Sequence, residues 1–273
     1  MIQKIITGFV VLLIAVVVLL LAALSWVYVT SNNQNVAAYE FSPIPPKDPD
    51  AAPPEAAADD GYLIFGASRN TGLDVAEILM ARGDKVSAVV RPNSDTKALQ
   101  QLGVTLVPGD ALDADSVRAA MAGKKYRAVL TTIACFSCNP KPDFLGNKNI
   151  FDAAKEADQR RVLLVTTIGS GDSFDAAPPP AKMFLKDMLP LKTQAEDHLK
   201  SLGLDYTIIR PGGLKTAQAT GRGILSEDRK TSGIITRADL AGLIVKAMDD
   251  DKTIGKTLAA IDREFKFPFD MGP

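Results

Sequence analysis

The residue types that could do chemistry are concentrated first in a short loop, GASRNTG, which follows the apolar run Tyr62–Phe65. A glycine-bounded turn between a strand and a helix directs backbone amides and a helix N-terminus toward one point, and that arrangement favours phosphate. The loop lacks the Gly-Lys-Ser/Thr ending of nucleoside triphosphatases. A plain turn with a glycine cap is the alternative. We expect a dinucleotide phosphate site lined by Gly66, Ala67, Ser68, Arg69, Asn70, Thr71 and Gly72.

Two arginines stand where an NAD site would have other residues. Arg69 occupies the place of the middle loop glycine, and Arg91 follows the second predicted strand, where an acidic residue would hold the ribose 2′-hydroxyl. Guanidinium groups pair well with phosphate oxygens, so the replacement predicts a 2′-phosphate and therefore NADP(H). The alternative for Arg69 is an exposed charge on a turn. Asp110, after the third strand, could accept a hydrogen bond from the adenine amino group.

A pair of cysteines, Cys135 and Cys138, follows the fourth predicted strand in the run ACFSCNP. One such pair is half of a zinc site, and no second pair or histidine cluster completes it. The context also differs from the helix start of a thioredoxin-like motif. We therefore favour two small apolar side chains that pack a loop, while in an oxidising compartment the pair could close a disulfide.

Two further polar residues lie on one predicted helix near the end of the fold. Lys192 could stabilise a developing oxyanion, and its alternative role is a helix-surface pair with Glu196, one turn further on. His198 is the only histidine of the chain. We expect it to point toward solvent or a neighbouring helix, and we do not expect it to act as a base.

Strand-like apolar runs alternate with amphipathic helical stretches from Gly61 onward, which predicts a doubly wound parallel sheet with helices on both faces. The predicted strands are Tyr62–Phe65, Lys85–Val90, Thr105–Val107, Ala128–Thr132, Val162–Thr166, Tyr206–Ile209 and Thr257–Ile261. The predicted helices include Thr71–Arg82, Asp115–Ala122, Asn147–Ala157, Lys192–Leu202 and Ala238–Met248. Ligands of such sheets bind beyond the carboxyl ends of the strands.

The N-terminal part differs from the rest and predicts three segments: a membrane anchor in 1–30, a flexible linker in 31–60 and a dinucleotide-binding domain in 61–273. Residues 5–29 carry no charge and as a helix would span about 37 Å, enough to cross a bilayer core of about 30 Å. A cleaved signal peptide would have a shorter apolar run. The segment 31–60 is rich in Pro, Ala and acidic residues and is typical of a tether.

The net charge does not indicate a strongly charged partner, because the 273 residues carry a formal net charge of only −1. No basic stripe indicates nucleic acid, so we expect no nucleic-acid partner. Lys4 before the apolar segment, against only Lys47 in the stretch after it, places the N-terminus in the cytoplasm. A domain built for NADPH instead belongs on the face where that nucleotide exists, cytoplasmic or matrix. We favour the second argument.

The chain from Gly61 onward resembles the atypical short-chain dehydrogenase/reductases of the NmrA-like, NAD(P)-binding group, near the biliverdin-B/flavin reductase-like proteins. The resemblance is carried by LIFGASRNTGLDVAEILMARGDKVSAVVRP, VPGDALD, GNKNIFDAAKEADQRRVLLVTTIG and LKTQAEDHLKSLGLDYTIIRPGGL. It implies a Rossmann-like fold and further cofactor contacts. These are Ala111 beside the adenine; Thr131, Thr132 and Ile133 along the ribose; and Thr166, Thr167, Ile168, Lys192, Pro211, Gly212 and Gly213 around the nicotinamide.

One departure from the wider superfamily concerns catalysis. The tyrosine that donates a proton four residues before the lysine is replaced by Met188, whose thioether has no proton to give. Two functions follow as expectations. One is a membrane-anchored reductase of a small-molecule acceptor, flavin-like or quinone-like, with 174–186 as a lid; the other is a non-catalytic subunit or assembly factor of a membrane protein complex.

Overall fold

The computed structural model describes residues 8–21, 36–41 and 60–264. Residues 8–21 form helix α1, whose large apolar side chains are exposed. In the described part of the chain, no helix combines the length and the apolar character that crossing a bilayer requires. Residues 1–7 and 22–30 of the predicted anchor segment lie outside the described residues, as do 31–35 and 42–59 of the predicted linker and 265–273 at the C-terminus.

The main sheet has the strand order β3-β2-β1-β4-β5-β6-β10-β8, and every pairing in it is parallel except β10 with β8. The strands are β1 Tyr62–Phe65, β2 Val86–Val90, β3 Thr105–Pro108, β4 Ala128–Thr131, β5 Arg161–Val165, β6 Asp205–Pro211, β8 Gly223–Ser226 and β10 Lys256–Asp262. A separate parallel pair joins β7 Gly213–Lys215 to β9 Ile234–Thr236. The predicted doubly wound parallel sheet is confirmed.

The helices divide between the two faces of the sheet as the apolar periodicity requires. The elements are α2 Asn70–Ala81, α3 Lys97–Leu102, α4 Ala114–Met121, α5 Pro142–Glu156, α6 Pro179–Phe184, α7 Leu189–Ser201 and α8 Arg237–Asp249. One core cluster joins the sheet to α2, α3 and α8, and the other joins it to α4, α5 and α7. The predicted helices match α2, α4, α5, α7 and α8 within a few residues, except that α5 begins earlier, at Pro142.

The expectation of a free tether from 31 to 60 is wrong for residues 36–41. Tyr39 donates its backbone N–H to the carbonyl of Leu225 on the edge strand β8 at 2.7 Å. The rings of Tyr39 and Phe41 pack edge to face, 5.4 Å apart, and contact the core on the α8 side. Aromatic side chains bury enough apolar area to hold a short segment against an exposed strand, so these residues belong to the folded domain.

Candidate functional site

A cleft of about 400 Å³ opens at the carboxyl ends of β1 and β4, where the strand order reverses. Gly66 at its base has φ +89°, and a Cβ there would lie 2.7 Å from Thr132 Oγ1. A Cβ at Gly72 would overlap the carbonyl oxygen of Gly66. Only glycine fits at both positions, so α2 approaches the strand closely and its N-terminus faces the cleft. This is the cradle that a dinucleotide pyrophosphate requires.

The two arginines predicted to select a 2′-phosphate lie together in this cleft. Arg69 and Arg91 both line it and both are exposed. Neither forms an ion pair with a described acidic residue. A turn after β2 aims Arg91, because Ser94 N–H donates to Arg91 O at 3.0 Å and Ser94 Oγ accepts from Arg91 N–H at 3.2 Å. Ser94 also lines the cleft and was not predicted, although Arg-Pro-Asn-Ser is a turn signal.

Most of the residues that the resemblance assigns to the adenine and the ribose line the cleft. Asp110, Ala111, Thr132 and Ile133 all line the cleft. The Asp110 carboxylate is held in place by the backbone N–H of Leu112, which donates to Oδ1 at 3.0 Å. A tight local turn of this kind fixes the direction of a short acidic side chain.

Next to the cleft lies a second, apolar cavity of about 830 Å³. It is walled by predicted residues that follow β5, by the end of β6 and the residues after it, and by α6 together with Pro178 directly before it. The walls include Thr167, Ile168, Gly212, Gly213, Pro178, Pro179, Pro180, Phe184 and Leu185. The predicted lid therefore forms one wall of a cavity that is large enough for a drug-sized ligand.

Three predicted residues, Thr166, Lys192 and Pro211, line both the cleft and the cavity. They mark the place where the two spaces meet. Met188 lines the cavity too, is 2% exposed, and puts a thioether where the superfamily has its proton donor. A nicotinamide ring held at the end of the cleft would face the apolar space.

Lys192 is held by a buried carboxylate, and the alternative pair with Glu196 is wrong. Lys192 Nζ lies 2.9 Å from Asp143 Oδ1, and the Asp143 side chain is fully buried. Asp143 Oδ2 in turn accepts from the backbone N–H of Cys135 at 3.3 Å. Because α5 begins early, it places Asp143 beneath the cleft, and this contact fixes the position of the ammonium group.

Glu196 belongs instead to a buried network behind the meeting point. Its carboxylate accepts from Thr166 Oγ1 at 2.6 Å and from Arg210 Nε and Nη2 at 3.0 and 2.6 Å. Arg210 Nη1 also donates to Asp172 at 2.5 Å. Burial raises the pKa of Asp172, but the hydrogen bond and charge of Arg210 outweigh it and leave the pKa lowered. Sequence reasoning missed this network because its members lie on four separate segments.

The profile of one protein family, described as NAD(P)H-binding, matches residues 66–251. The chain belongs to this NAD(P)H-binding family. The matched span begins at Gly66 and ends after α8, so it contains every residue that lines the cleft except Phe65.

Three relatives of this NAD(P)H-binding chain differ in what they do. The structure of ChuY, an anaerobillin reductase from Escherichia coli O157:H7, is 32% identical, with a TM-score of 0.69 over 76% of this chain and 98% of ChuY. Sanguinarine reductase from Eschscholzia californica is 28% identical over 71% of this chain and 86% of the relative. The photosystem II assembly factor Ycf39 from Cyanophora paradoxa is 25% identical over 54% of this chain and 44% of the relative.

Two residues predicted to contact the cofactor, Ala67 and Thr131, line neither the cleft nor the cavity of this NAD(P)H-binding chain. The side chain of Ala67 is fully buried in the core cluster on the α2 side. Thr131 is also fully buried and donates to Asn147 Oδ1 at 2.7 Å. Successive side chains of a strand point to opposite faces of the sheet. Thr131 therefore faces α5, and Thr132 lines the cleft.

Cys135 and Cys138 are joined by a disulfide, so the favoured interpretation as packing thiols is wrong. Cys135 lines the cleft, and Phe136, inside the disulfide loop, lines both spaces. Among the described residues there is no cluster that could hold a metal ion. His198 Nε2 lies 2.7 Å from Asp152 Oδ1 on α5, which confirms the expected position against a neighbouring helix.

Arg237 is the principal site residue that sequence reasoning missed. It is the first residue of α8, lines both the cleft and the cavity, and donates through Nη1 to Thr216 Oγ1 at 2.8 Å. Thr236 caps the helix by accepting from Asp239 N–H at 3.0 Å. No local sequence motif predicts Arg237 as a site residue, because its position depends on how the C-terminal segments pack against the sheet.

Proposed function

We propose that this protein is a membrane-anchored, NADP(H)-dependent reductase of a small or membrane-soluble acceptor of the flavin or quinone class. The observation that carries the proposal is the junction at Thr166, Lys192 and Pro211, where a phosphate cleft meets an apolar cavity. A reductase needs those two compartments side by side, since one holds the donor and the other the acceptor.

NADP(H) is the proposed cofactor because Arg69 and Arg91 line the phosphate end without an acidic partner among the described residues. The cofactor itself supplies the hydride. The chain orients donor and acceptor, and the apolar walls exclude water. Lys192 is the proposed catalytic residue: its ammonium, fixed by Asp143, stabilises negative charge that develops on an acceptor oxygen. A flavin or quinone takes its proton from solvent, so Met188 need not supply one.

The anchor, partners and location belong to the same proposal. Residues 5–29 are uncharged, and the apolar side chains of α1 are exposed, which supports a membrane attachment. We place the domain on the NADPH-containing face, cytoplasmic or matrix. The Cys135–Cys138 disulfide is typical of an oxidising compartment and favours the opposite face. Labelling intact cells or organelles with a membrane-impermeant maleimide, after reduction, distinguishes the two faces.

A binding titration tests the cofactor assignment. The full chain in detergent should bind NADPH more tightly than NADH, and Arg69→Ala and Arg91→Ala should each weaken NADPH binding by about 10-fold to 100-fold while leaving NADH binding unchanged. Arg118→Ala is the matched control, because Arg118 is an exposed arginine of α4 that pairs with Glu156 of α5 and does not line the cleft. NADPH oxidation with a flavin and with a soluble quinone then tests the reaction. Absence of nucleotide binding would contradict the whole proposal.

A second candidate is a dinucleotide-binding accessory subunit or assembly factor of a membrane protein complex. It is favoured by Met188, which leaves the cavity without the superfamily's proton donor, and by the similarity to an assembly factor. This candidate predicts tight NADPH binding, no turnover with any acceptor, and purification together with a membrane complex. Turnover with a quinone or flavin would exclude it.

A further inference from the structure

The mouth of the apolar cavity carries a group of exposed apolar side chains, here called the rim. It consists of Phe136, Phe184 and Leu214, which line the cavity, together with Phe174 and Met183 of the predicted lid, which do not; all five are 41% to 74% exposed. The rings of Phe136 and Phe184 lie 5.2 Å apart, so the disulfide loop and α6 meet at the rim. Scattered apolar residues are ordinary on a protein surface, but a contiguous group around a cavity marks an interaction site.

Three lysines, Lys141, Lys182 and Lys186, lie beside the rim. Lys182 Nζ lies 4.4 Å above the ring of Phe174, and Lys141 donates to the carbonyl of Phe136 at 2.6 Å. Lys186 follows α6 and is exposed. Lys182 Nζ also lies 3.7 Å from the exposed carboxylate of Asp175, so the charge beside the rim is mixed. Apolar and aromatic residues flanked by lysines suit a face that lies in a membrane interface, because the apolar parts enter the lipid while the ammonium groups stay at the anionic headgroups.

The segment 36–41 fixes where the N-terminal part of the chain leaves the domain. Its first residue, Val36, packs against a small cluster formed by Ile168, Ala177, Ala259 and Ile261. Ile168 lines the cavity, and Ala177 directly precedes the prolines that line it. The carbonyl of Val36 also accepts from Arg263 Nη2 at 3.4 Å. The chain therefore enters the domain beside the cavity rather than at the opposite edge of the sheet.

Chain length limits how far this point can lie from the proposed anchor. From residue 29, where the apolar segment ends, to Val36 there are seven residue steps, which can span at most about 24 Å. A linker that was free as far as residue 60 would allow several times that distance. The docked segment removes that freedom and keeps the cavity side of the domain close to the bilayer surface.

We propose that the rim inserts into the bilayer that holds the anchor, and that the acceptor enters the cavity directly from the lipid. The inference rests on the proposed anchored reductase and deepens it, because it commits the acceptor to a lipid-soluble class and makes the lipid surface the occupant of the rim. The cavity is then continuous with the hydrocarbon region, and the phosphate cleft, on the other side of Lys192, remains open to water.

A depth-dependent fluorescence measurement tests the insertion without requiring turnover. The only tryptophan, Trp26, is replaced by Phe in the full chain, and a new one is introduced by Met183→Trp at the rim or by Ala122→Trp at the exposed end of α4 as the control. Each protein is reconstituted into vesicles of phosphatidylcholine and phosphatidylglycerol that carry brominated acyl chains. The tryptophan at 183 should be strongly quenched and the one at 122 should not. Equal quenching at the two positions, whether low or high, overturns the proposal.

Turnover in the same vesicles separates this inference from the proposed function. Met183→Glu, at a residue that does not line the cavity, should lower NADPH oxidation by a long-tailed quinone dissolved in the lipid by about tenfold and leave oxidation by a short-tailed, water-soluble quinone within about twofold. Ala122→Glu should change neither rate. Equal effects on both quinones overturn the lipid route but leave the reductase standing, whereas wild-type protein inactive with both quinones contradicts the proposed function.

Discussion

The cleft and the cavity recognise their ligands by different physical means. The cleft is formed largely by the backbone, because two glycines allow α2 to pack closely against the strands. Its backbone amides, hydroxyl groups and arginines suit an anionic ligand. The cavity is defined by side chains: prolines, aliphatic residues and phenylalanines surround a space with few polar groups. Hydrogen bonds and charge discriminate closely related ligands, whereas apolar contact discriminates them weakly. The protein should therefore be strict about its donor and permissive about its acceptor.

The largest expected effect is at the boundary between the two regions. Lys192→Met leaves the fully buried Asp143 carboxylate unpaired, which should lower the free energy of unfolding by about 3–5 kcal/mol. The double variant Lys192→Met with Asp143→Leu should recover most of that stability without recovering turnover. Urea unfolding and NADPH oxidation measure the two consequences. If the single variant is as stable as the wild type, the Lys192–Asp143 ion pair does not stabilise the junction between the cleft and the cavity.

The second test acts on the cleft alone. Gly72→Ala forces a methyl group into the carbonyl oxygen of Gly66, so NADPH affinity should fall by at least about 100-fold, while binding of an apolar dye to the cavity is retained. Gly242→Ala is the matched control, because nothing lies within 4 Å of that position in α8. The control should bind NADPH normally and gain up to about 1 kcal/mol of stability from helix propensity. Loss of both ligands in Gly72→Ala would show that the two regions do not fold independently.

The third test acts where the disulfide loop joins the cleft to the rim. A disulfide that closes so short a loop is worth about 2 kcal/mol in the chain-entropy account, so Cys135→Ser with Cys138→Ser should lower stability by that amount. Because Phe136 is carried by this loop, acceptor KM should rise more than the dissociation constant of NADPH. Reduction of the wild type with dithiothreitol should reproduce both changes. If NADPH affinity falls as much as acceptor affinity, the loop does not act on the cavity separately from the cleft.

The smallest expected effect lies behind the boundary, in the network of Arg210. The pKa of Asp172 is lowered in the folded protein from its ordinary value of 3.8, so its ion pair stabilises above that value and is lost as the pH falls through the lower, folded pKa. The side chain is 44% exposed, and solvent screening limits the gain to below about 1 kcal/mol. Asp172→Asn should be less stable than wild type at pH 6, and the difference should shrink as the pH falls below 3.8 and the carboxylate of the folded protein becomes protonated. If the difference in the free energy of unfolding between the variant and the wild type persists in acid, the effect comes from packing and not from the ion pair.

The cleft could be predicted from the sequence far better than the cavity, because the cleft is built from residues close together in sequence and the cavity is not. Gly66, Gly72, Arg69 and Arg91 are contiguous or lie one strand apart, so spacing alone predicts their meeting. Within that region the error at Thr131 was one residue of strand register. The cavity, in contrast, is assembled from segments distant in sequence, and Arg237 and the early start of α5 depend on packing that no local pattern reveals.

The docking of 36–41 on β8 also determines how the domain can be isolated. Strand β8 ends the main sheet, and the backbone bond from Tyr39 to Leu225 covers part of an edge that could otherwise pair with another molecule. Exposed edge strands are sites of aggregation. A protein cut before Asp60, two residues before β1, would uncover that edge and remove Tyr39 and Phe41 from the core. A cut before residue 36 keeps both and should yield the more soluble and monodisperse domain.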